Sequence, residues 1–385
     1  MYHNTRDVVI IGGGVIGCSI AYYLAKKGIK PLILERRQIA SEASCAAAGG
    51  LWPQSESKGP GIFLDLCIES NKMFPALCRE LEWDIKFDPS GLLHLIEDEE
   101  AMEESNRLME WQLKRGLQVE FLTKEETLKM EPALSKDLLG SLYFSSDNQL
   151  STIDLTHAFY LGAMGLGAEI MIDTEVKQII LKKKRIEGVV VKKRRQKEKI
   201  NTKIVINAAG AWSRNIGEMV GLRIPVIPIR GQIVLTDPLP ELFRRSLVAR
   251  DVYMMQKASK NIVLGSTRED VGYDKTVSIQ GIENLRNAGC QVVPQLKNAT
   301  MVRTWAGLRP YTPDEVPILG KVEEVEGFIM ASGHFRNGIL LAPITGKLIA
   351  ELIVDGKTFF PIENTRLSRF PDYLIKKKRV LTPVS

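Results

Sequence analysis

The sequence predicts an α/β protein of two domains, in which a parallel, helix-flanked sheet is assembled from separated stretches of chain around a β-rich second domain. Three observations predict it. Residues 7–35 alternate apolar strand, glycine turn, helix and apolar strand. Residues 224–270 read mostly as strands. Residues 316–333 return to short strands and lead back into helix. A chain of 385 residues has room for this, since domains average about 150 residues. The expected division gives 1–85, 146–220 and 318–375 to the first domain, and 86–145 and 221–317 to the second.

The run Val8-Val9-Ile10-Ile11 is fully apolar, as strands buried on both faces are. A glycine turn follows. The next helix runs to about Lys27, with Ile16, Ile20 and Leu24 on one face and Gly28 in the C-terminal capping position. Pro31-Leu32-Ile33-Leu34 is the second strand, ended by Glu35. Residues 40–61, rich in Ala, Ser and Gly, read as a long loop with one helical turn. Residues 64–83 and 99–115 read as helices, and 84–97 as strands around Pro89-Ser90-Gly91. Thr123 precedes Glu126 at capping-box spacing, which predicts a short helix to Met130. Helix is expected again at 155–166, 279–291 and from Gly338 onward. Strands are expected at 169–172, 176–181, 188–192 and 204–207.

Composition narrows the function. Hydrophobic residues make up 44% and charged residues 25%, which excludes a disordered chain, a collagen-like repeat or a coiled-coil rod. Five cysteines, with no C-x-x-C pair, argue against a zinc ribbon or a disulfide framework. Four scattered histidines show no metal-ligand spacing. The polar N-terminus and the charges of Lys347 and Glu351 in the last apolar stretch predict neither a leader nor a membrane span. A cytoplasmic protein is expected. The net charge is +6, and eleven Lys or Arg fall between residues 182 and 203, with more at 376–379. A charge run of this kind reads as a solvated hairpin face. The other reading, a nucleic-acid surface, lacks interleaved aromatics.

The strongest motif is G-x-G-x-x-G at Gly12, Gly14 and Gly17, with Val15 and Ile16 opening the helix. Glycine at these points permits a tight turn, close approach of backbone to a pyrophosphate, and close packing of helix on strand. The helix N-terminus supplies N–H groups and partial positive charge to phosphates. Glu35, at the end of the second strand, is placed to accept hydrogen bonds from ribose hydroxyls. The whole is a Rossmann-like unit for a dinucleotide, and Glu35 disfavours one with an extra ribose phosphate.

Four further segments carry a resemblance. They are Ser41-Glu42-Ala43-Ser44-Cys45-Ala46-Ala47-Ala48-Gly49-Gly50, Asn207-Ala208-Ala209-Gly210-Ala211-Trp212-Ser213, Trp305-Ala306-Gly307-Leu308-Arg309-Pro310, and the run from Gly333 to Pro343. In order and spacing the chain resembles the D-amino-acid-oxidase-like flavoproteins, glycine oxidases above all, from about Asp7 to Asp355. The resemblance implies a Rossmann-like FAD-binding domain and a discontinuous, β-rich substrate-binding domain. It implies a non-covalent FAD, since no cysteine lies between Trp305 and Asp314 to tether it. The adenine end would lie at the Gly12 turn, with Glu35, Arg36 and Val176 beside it. Ala43, Ser44, Ala47, Gly49, Gly50 and Leu51 would pass over the flavin side. Ala209, Gly210 and Trp212 would flank it. His334, Arg336, Asn337, Gly338, Ile339 and Leu340 would wrap the pyrimidine edge of the ring. This last segment precedes a helix, whose dipole favours negative charge on reduced flavin.

The implied chemistry is oxidation of a Cα–N bond by hydride transfer to flavin. Arg309 matches the family arginine that holds the amino-acid carboxylate, and a guanidinium does this through two parallel N–H···O bonds. Tyr253 matches a tyrosine at the same carboxylate. Arg336 matches an arginine near flavin and substrate, with a structural ion pair as its other reading. His334 and Cys45 read as packing residues. The substrate class implied is glycine, sarcosine, or a D-amino or imino acid. Oxygen is one electron acceptor; a partner subunit is the other. Asp251 and Arg268 depart from the glycine-oxidase pattern, where a histidine and a methionine stand. Lys58-Gly59-Pro60-Gly61 resembles the β subunits of heteromeric proline, hydroxyproline and opine dehydrogenases. A homo-oligomer or a heteromeric complex is therefore expected.

Overall fold

Two sheets organise the chain. The computed structural model describes residues 5–374, and the basic stretch 376–379 lies outside them. Short apolar runs have no face that tolerates water, so they settle in the middle of a covered parallel sheet. Val9–Ile11, Leu32–Leu34 and Val205–Asn207 are such runs, and every residue in them is buried. They pair in parallel, with Val9–Ile11 central. Glu169–Met171 and Phe328–Ser332 extend the parallel set on either side. Ile318–Lys321 closes one edge antiparallel.

Both faces of this sheet are covered. Helix Val15–Lys26 packs on one face with Thr152–Gly165 and Ala342–Val354 beside it. Ile20, Leu24, Phe159 and Ile349 belong to one fully buried cluster with Ile10 and Ile33. The other face meets an antiparallel layer formed by Thr174–Lys182, Arg185–Lys193 and Gln196–Asn201. Val176, Ile179, Val189, Val191 and Ile200 pack inward against Val9, Ile11, Leu32 and Leu34. All eleven basic residues between 182 and 203 are exposed on this layer and the turn that leaves it.

The second sheet has eight strands. In spatial order they are Met301–Tyr311, Ile227–Pro238, Asn261–Gly265, Tyr253–Gln256, Ser246–Val248, Leu92–Ile96, Gly140–Phe144 and Glu120–Thr123. Its one parallel contact joins Ser246–Val248 to Leu92–Ile96. Helix Ile279–Val292 packs on Ile227–Pro238 and Asn261–Gly265, burying Ile282, Leu285 and Val292 with Val234 and Leu264.

Several elements differ from expectation. The helix expected over 64–83 is two, Ile62–Asn71 and Phe74–Glu80. Pro75 lacks an N–H and sits at the start of the second, where none is needed. Of the strands expected over 84–97 only Leu92–Ile96 forms. The last helix begins at Ala342 rather than Gly338, again with proline in its first turn, and 338–341 form turns. Helix Lys124–Met130 forms with the full Thr123–Glu126 capping box. The strands Glu120–Thr123, Gly140–Phe144, Gln196–Asn201 and Met301–Tyr311 carried no sequence expectation. Met301–Tyr311 mixes basic, aromatic and small residues, because only its pairing with Ile227–Pro238 defines it.

Candidate active site

A cavity of about 410 Å³ runs between the end of the parallel sheet and the face of the second sheet. Its first wall is built by the glycine turn. Gly12 has φ +114°, and a Cβ there would meet the Ala208 carbonyl oxygen at 2.5 Å, so only glycine lets the turn lie against the neighbouring strand. Gly14, Val15 and Ile16 line the cavity at the helix N-terminus. Ser44 Oγ accepts the Val15 N–H at 2.9 Å. That first turn holds no carboxylate, so its positive end is left to whatever occupies the cavity.

Glu35 ends the second strand and lines the same wall. Its carboxylate accepts the Gly13 N–H at 2.8 Å and the Arg37 N–H at 2.7 Å, tying the glycine turn to the neighbouring strand. Arg36 lies over the Trp212 ring at 3.8 Å and pairs with Glu42 at 3.2 Å. Val176, Ala209 and Gly210 complete this end. Ala43, Ser44, Ala47, Gly49 and Gly50 line the middle. Gly49 has φ +98°, and a Cβ would meet the Leu150 carbonyl oxygen at 2.1 Å.

The far end is built by the second sheet. Arg309 and Tyr253 both line it, although 56 residues separate them in the chain. Strand pairing does this: Arg309 sits opposite Ile229, and Tyr253 opposite Gly265. Arg309 lies over Gly231, where a Cβ would stand 2.1 Å from its guanidinium. Its N–H groups donate to the Thr267 carbonyl at 3.1 Å and to Ser266 Oγ. Burial pulls the Arg309 guanidinium down from its ordinary value, with Arg268 adding to the shift and Tyr253 and Glu269 opposing it. Burial also pushes the Tyr253 phenol up, against the pull of Arg309 and Ser266. The Trp52 ring meets the Tyr253 ring edge-on at 5.3 Å. The Gly231→Ala variant should therefore displace the guanidinium without touching the glycine turn. Steady-state kinetics should show a higher KM with FAD content unchanged; an unchanged KM would mean that this wall does not set substrate affinity.

His334, Arg336, Asn337, Gly338 and Ile339 line the remaining wall. Arg336 forms an ion pair with Glu56. His334 is buried, its Nε2 is 3.0 Å from Thr345 Oγ1, and burial drops its pKa to about 3. The ring is held in place by that contact. The dipole expected for this segment starts at Ala342, beyond 334–340, because the helix begins later. Gly17, Leu51 and Leu340 do not line the cavity. A Cβ on Gly17 would meet the Gly12 carbonyl oxygen at 2.0 Å, so its part is packing. Leu51 and Leu340 are fully buried in the core behind the wall.

Phe335, within the 333–343 run, lines the cavity, as do Trp52, Glu56, Gly231 and Ser266, which sequence reasoning missed. None of those four sits in a motif. Each arrives through strand pairing or an irregular loop. Asp251 is exposed, and Arg268 reaches over the Tyr311 and Phe335 rings at 5.3 and 5.2 Å, outside the lining. No cysteine lines the cavity. Among the described residues no group of His, Cys, Asp or Glu is placed to hold a metal, and no helix is long and apolar enough to cross a membrane.

A glycine turn on a covered parallel sheet, facing a second sheet that carries a half-buried arginine across one cavity, defines a dinucleotide-binding class of protein. The chain belongs to the FAD dependent oxidoreductase family, whose sequence model matches residues 7–352. It is 37% identical to the hydrogen cyanide synthase subunit HcnC of Pseudomonas aeruginosa, over 91% of this chain and 93% of that one. It is 35% identical to glycine oxidase of Geobacillus kaustophilus, over 94% and 97%. The crystal structure of the Geobacillus kaustophilus glycine oxidase matches at TM-score 0.90 and 34% identity, covering 95% and 99% of the two chains. L-proline dehydrogenase from P. horikoshii matches at TM-score 0.87 and 29% identity, covering 94% and 97%. The protein is thus an FAD-dependent enzyme.

Proposed function

We propose that this enzyme oxidises the Cα–N bond of a small amino acid to the imine. The observation that carries the reading is Arg309. A guanidinium half-buried on a cavity wall favours an anion in direct contact, and its hydrogen-bond partners here are the Thr267 carbonyl, the Ser266 hydroxyl and the Tyr253 phenol, all neutral, with the Glu269 carboxylate acting on it only from beyond them. A substrate carboxylate would supply a directly bonded anion through a two-pronged contact.

The cavity residues fit FAD. The helix N-terminus at Gly14–Ile16, with its Val15 N–H taken by Ser44 but no carboxylate in its first turn, suits the pyrophosphate. Glu35 would meet the ribose, and residues 334 and 336–339 the ring system. With no cysteine in the lining, we take the cofactor as non-covalent. Bound FAD supplies the acceptor for the hydride leaving Cα. Arg309 and Tyr253 hold the carboxylate, which fixes Cα and converts encounter into a near-attack geometry. The neutral amine lone pair assists the departure. Neutral His334 is committed to Thr345 and Glu56 to Arg336, so neither serves as base. The imine then hydrolyses in water.

A second reading is favoured by the likeness to a hydrogen cyanide synthase subunit. In it, electrons pass to a partner chain rather than to oxygen. We place the enzyme in the cytoplasm and give the exposed basic layer no part in the reaction. The test is anaerobic mixing of the holoenzyme with glycine, sarcosine, L- and D-proline and D-hydroxyproline, followed by flavin absorbance. Bleaching by one of them is expected, and admitting air then separates oxidase from dehydrogenase. Absence of bleaching by all five would overturn the small-amino-acid reading.

A further inference from the structure

Residues 266–278 run beside the cavity almost without regular structure, and of them only Ser266 lines it. At one end the Thr267 carbonyl and Ser266 hydroxyl take the N–H groups of Arg309. At the other, the Tyr273 ring stacks on Trp212 at 5.5 Å, its hydroxyl donates to the Ala211 carbonyl at 3.2 Å, and Lys275 pairs with Glu42 at 2.9 Å. Trp212 and Glu42 line the dinucleotide end. The strap therefore touches both ends of the site. Most of it is exposed, so its apolar burial is small and something else must fix its path.

Two buried side chains do so: Gln232, which also holds Ser278 at the end of the strap, and, reaching further along it, Arg230. Arg230 is 6% exposed. Its Nε donates to Glu269 at 3.2 Å, and its Nη1 to Asp274 at 2.8 Å and Thr276 at 3.3 Å. Its own backbone forms a β-bridge with Glu269. Glu269 in turn accepts from Gln232 at 2.7 Å and from Thr267. Thr267 Oγ1 accepts the Gln232 N–H at 2.9 Å. A chain of direct contacts thus runs from Arg230 through Glu269 and Thr267 to Arg309. A second runs through Asp274 to its neighbours Tyr273 and Lys275. Neither Arg230 nor Glu269 lines the cavity.

We propose that Arg230 is a positioning residue that sets both ends of the active site at once, by clamping the strap 266–278 through Glu269 and Asp274. The substrate half rests on the reading that Arg309 holds the carboxylate; the cofactor half does not. Removing the guanidinium takes away the donors that hold Glu269 and Asp274, and the freed strap gains disorder, so both ends should loosen together.

The test compares Arg230→Met, Arg230→Lys and Asp274→Asn holoenzymes. FAD release is read as the rise of free-flavin fluorescence on dilution, and kinetics give KM and kcat separately. Arg230→Met should release FAD and raise KM each by about tenfold or more, with kcat changed less, because what is lost is binding and orientation rather than chemistry. Arg230→Lys keeps the charge but not the fork, and should fall between. Asp274→Asn covers the case in which Arg230→Met does not fold, and should speed FAD release more than it raises KM. Unchanged FAD release in all folded variants would overturn the proposal. Faster FAD release with an unchanged KM would retain the clamp at the dinucleotide end and reject it at Arg309, and if Arg309 variants also leave KM unchanged, the fault lies in the carboxylate reading.

Discussion

Arg309→Ala is expected to raise the KM for the amino-acid substrate by at least tenfold, with a smaller change in kcat. Truncating one partner of a buried, hydrogen-bonded charge pair costs about 2–5 kcal/mol, which brackets about 30-fold to several thousand-fold at 25 °C. Arg309→Lys should recover only part of this, because a lysine cannot present two parallel donors to a carboxylate. Stability should move the other way. The guanidinium is largely desolvated, its direct partners are neutral and Glu269 compensates it only from a distance, so Arg309→Met removes a partly desolvated charge and should hold or raise the Tm. Steady-state kinetics and thermal unfolding of the same holoenzyme check both halves. An unchanged KM would remove Arg309 from the substrate site.

Gly17→Ala is expected to abolish FAD retention, and the variant should purify colourless or fail to accumulate. Its Cβ would stand 2.0 Å from the Gly12 carbonyl oxygen, which is backbone and cannot rotate away. Helix Val15–Lys26 would have to lift from strand Val9–Ile11, and that helix is the one packed against both other helices of its layer. Overpacking of this kind costs about 1–3 kcal/mol where neighbours can yield, and more here, since the clash is with main chain. Gly28→Ala is the control. Its φ is +81° but no atom lies within 4 Å of the added Cβ, so it should lose about 1–2 kcal/mol of stability and keep its colour. The measurement is flavin absorbance per chain in the purified variants. A yellow, stable Gly17→Ala protein would contradict the close packing of turn and helix.

The two ends of the cavity differed in how legible they were. Gly12, Gly14, Val15, Ile16 and Glu35 were found from spacing alone, and all line the cavity. Gly17 belongs to the same motif but acts behind the wall, where spacing could not distinguish contact from packing. Arg309 and Tyr253 entered through resemblance, and it was strand register that put them on one wall. Trp52, Glu56, Gly231 and Ser266 carried no signal, since a tryptophan after a leucine or a glycine within a strand means nothing until its neighbours are known. The ion pair of Arg336 with Glu56 likewise joins residues 280 positions apart. The helix starts at Phe74 and Ala342 fall beside Pro75 and Pro343, a local signal that apolar periodicity does not carry.

By itself, then, the sequence determined the strand–turn–helix that opens the chain, the apolar layers that bury it and the family to which it belongs. Those properties are local: glycine torsions, helix caps and hydrophobic period act over a few residues, and their outcome does not wait for the rest of the fold. Only the tertiary structure decided which polar groups are buried, paired and facing one cavity. Arg230, Tyr253, Glu269 and Arg309 come from strands and a strap that meet through pairing across the second sheet, and desolvation, the force that gives a buried charge its chemistry, exists only once those surfaces have closed.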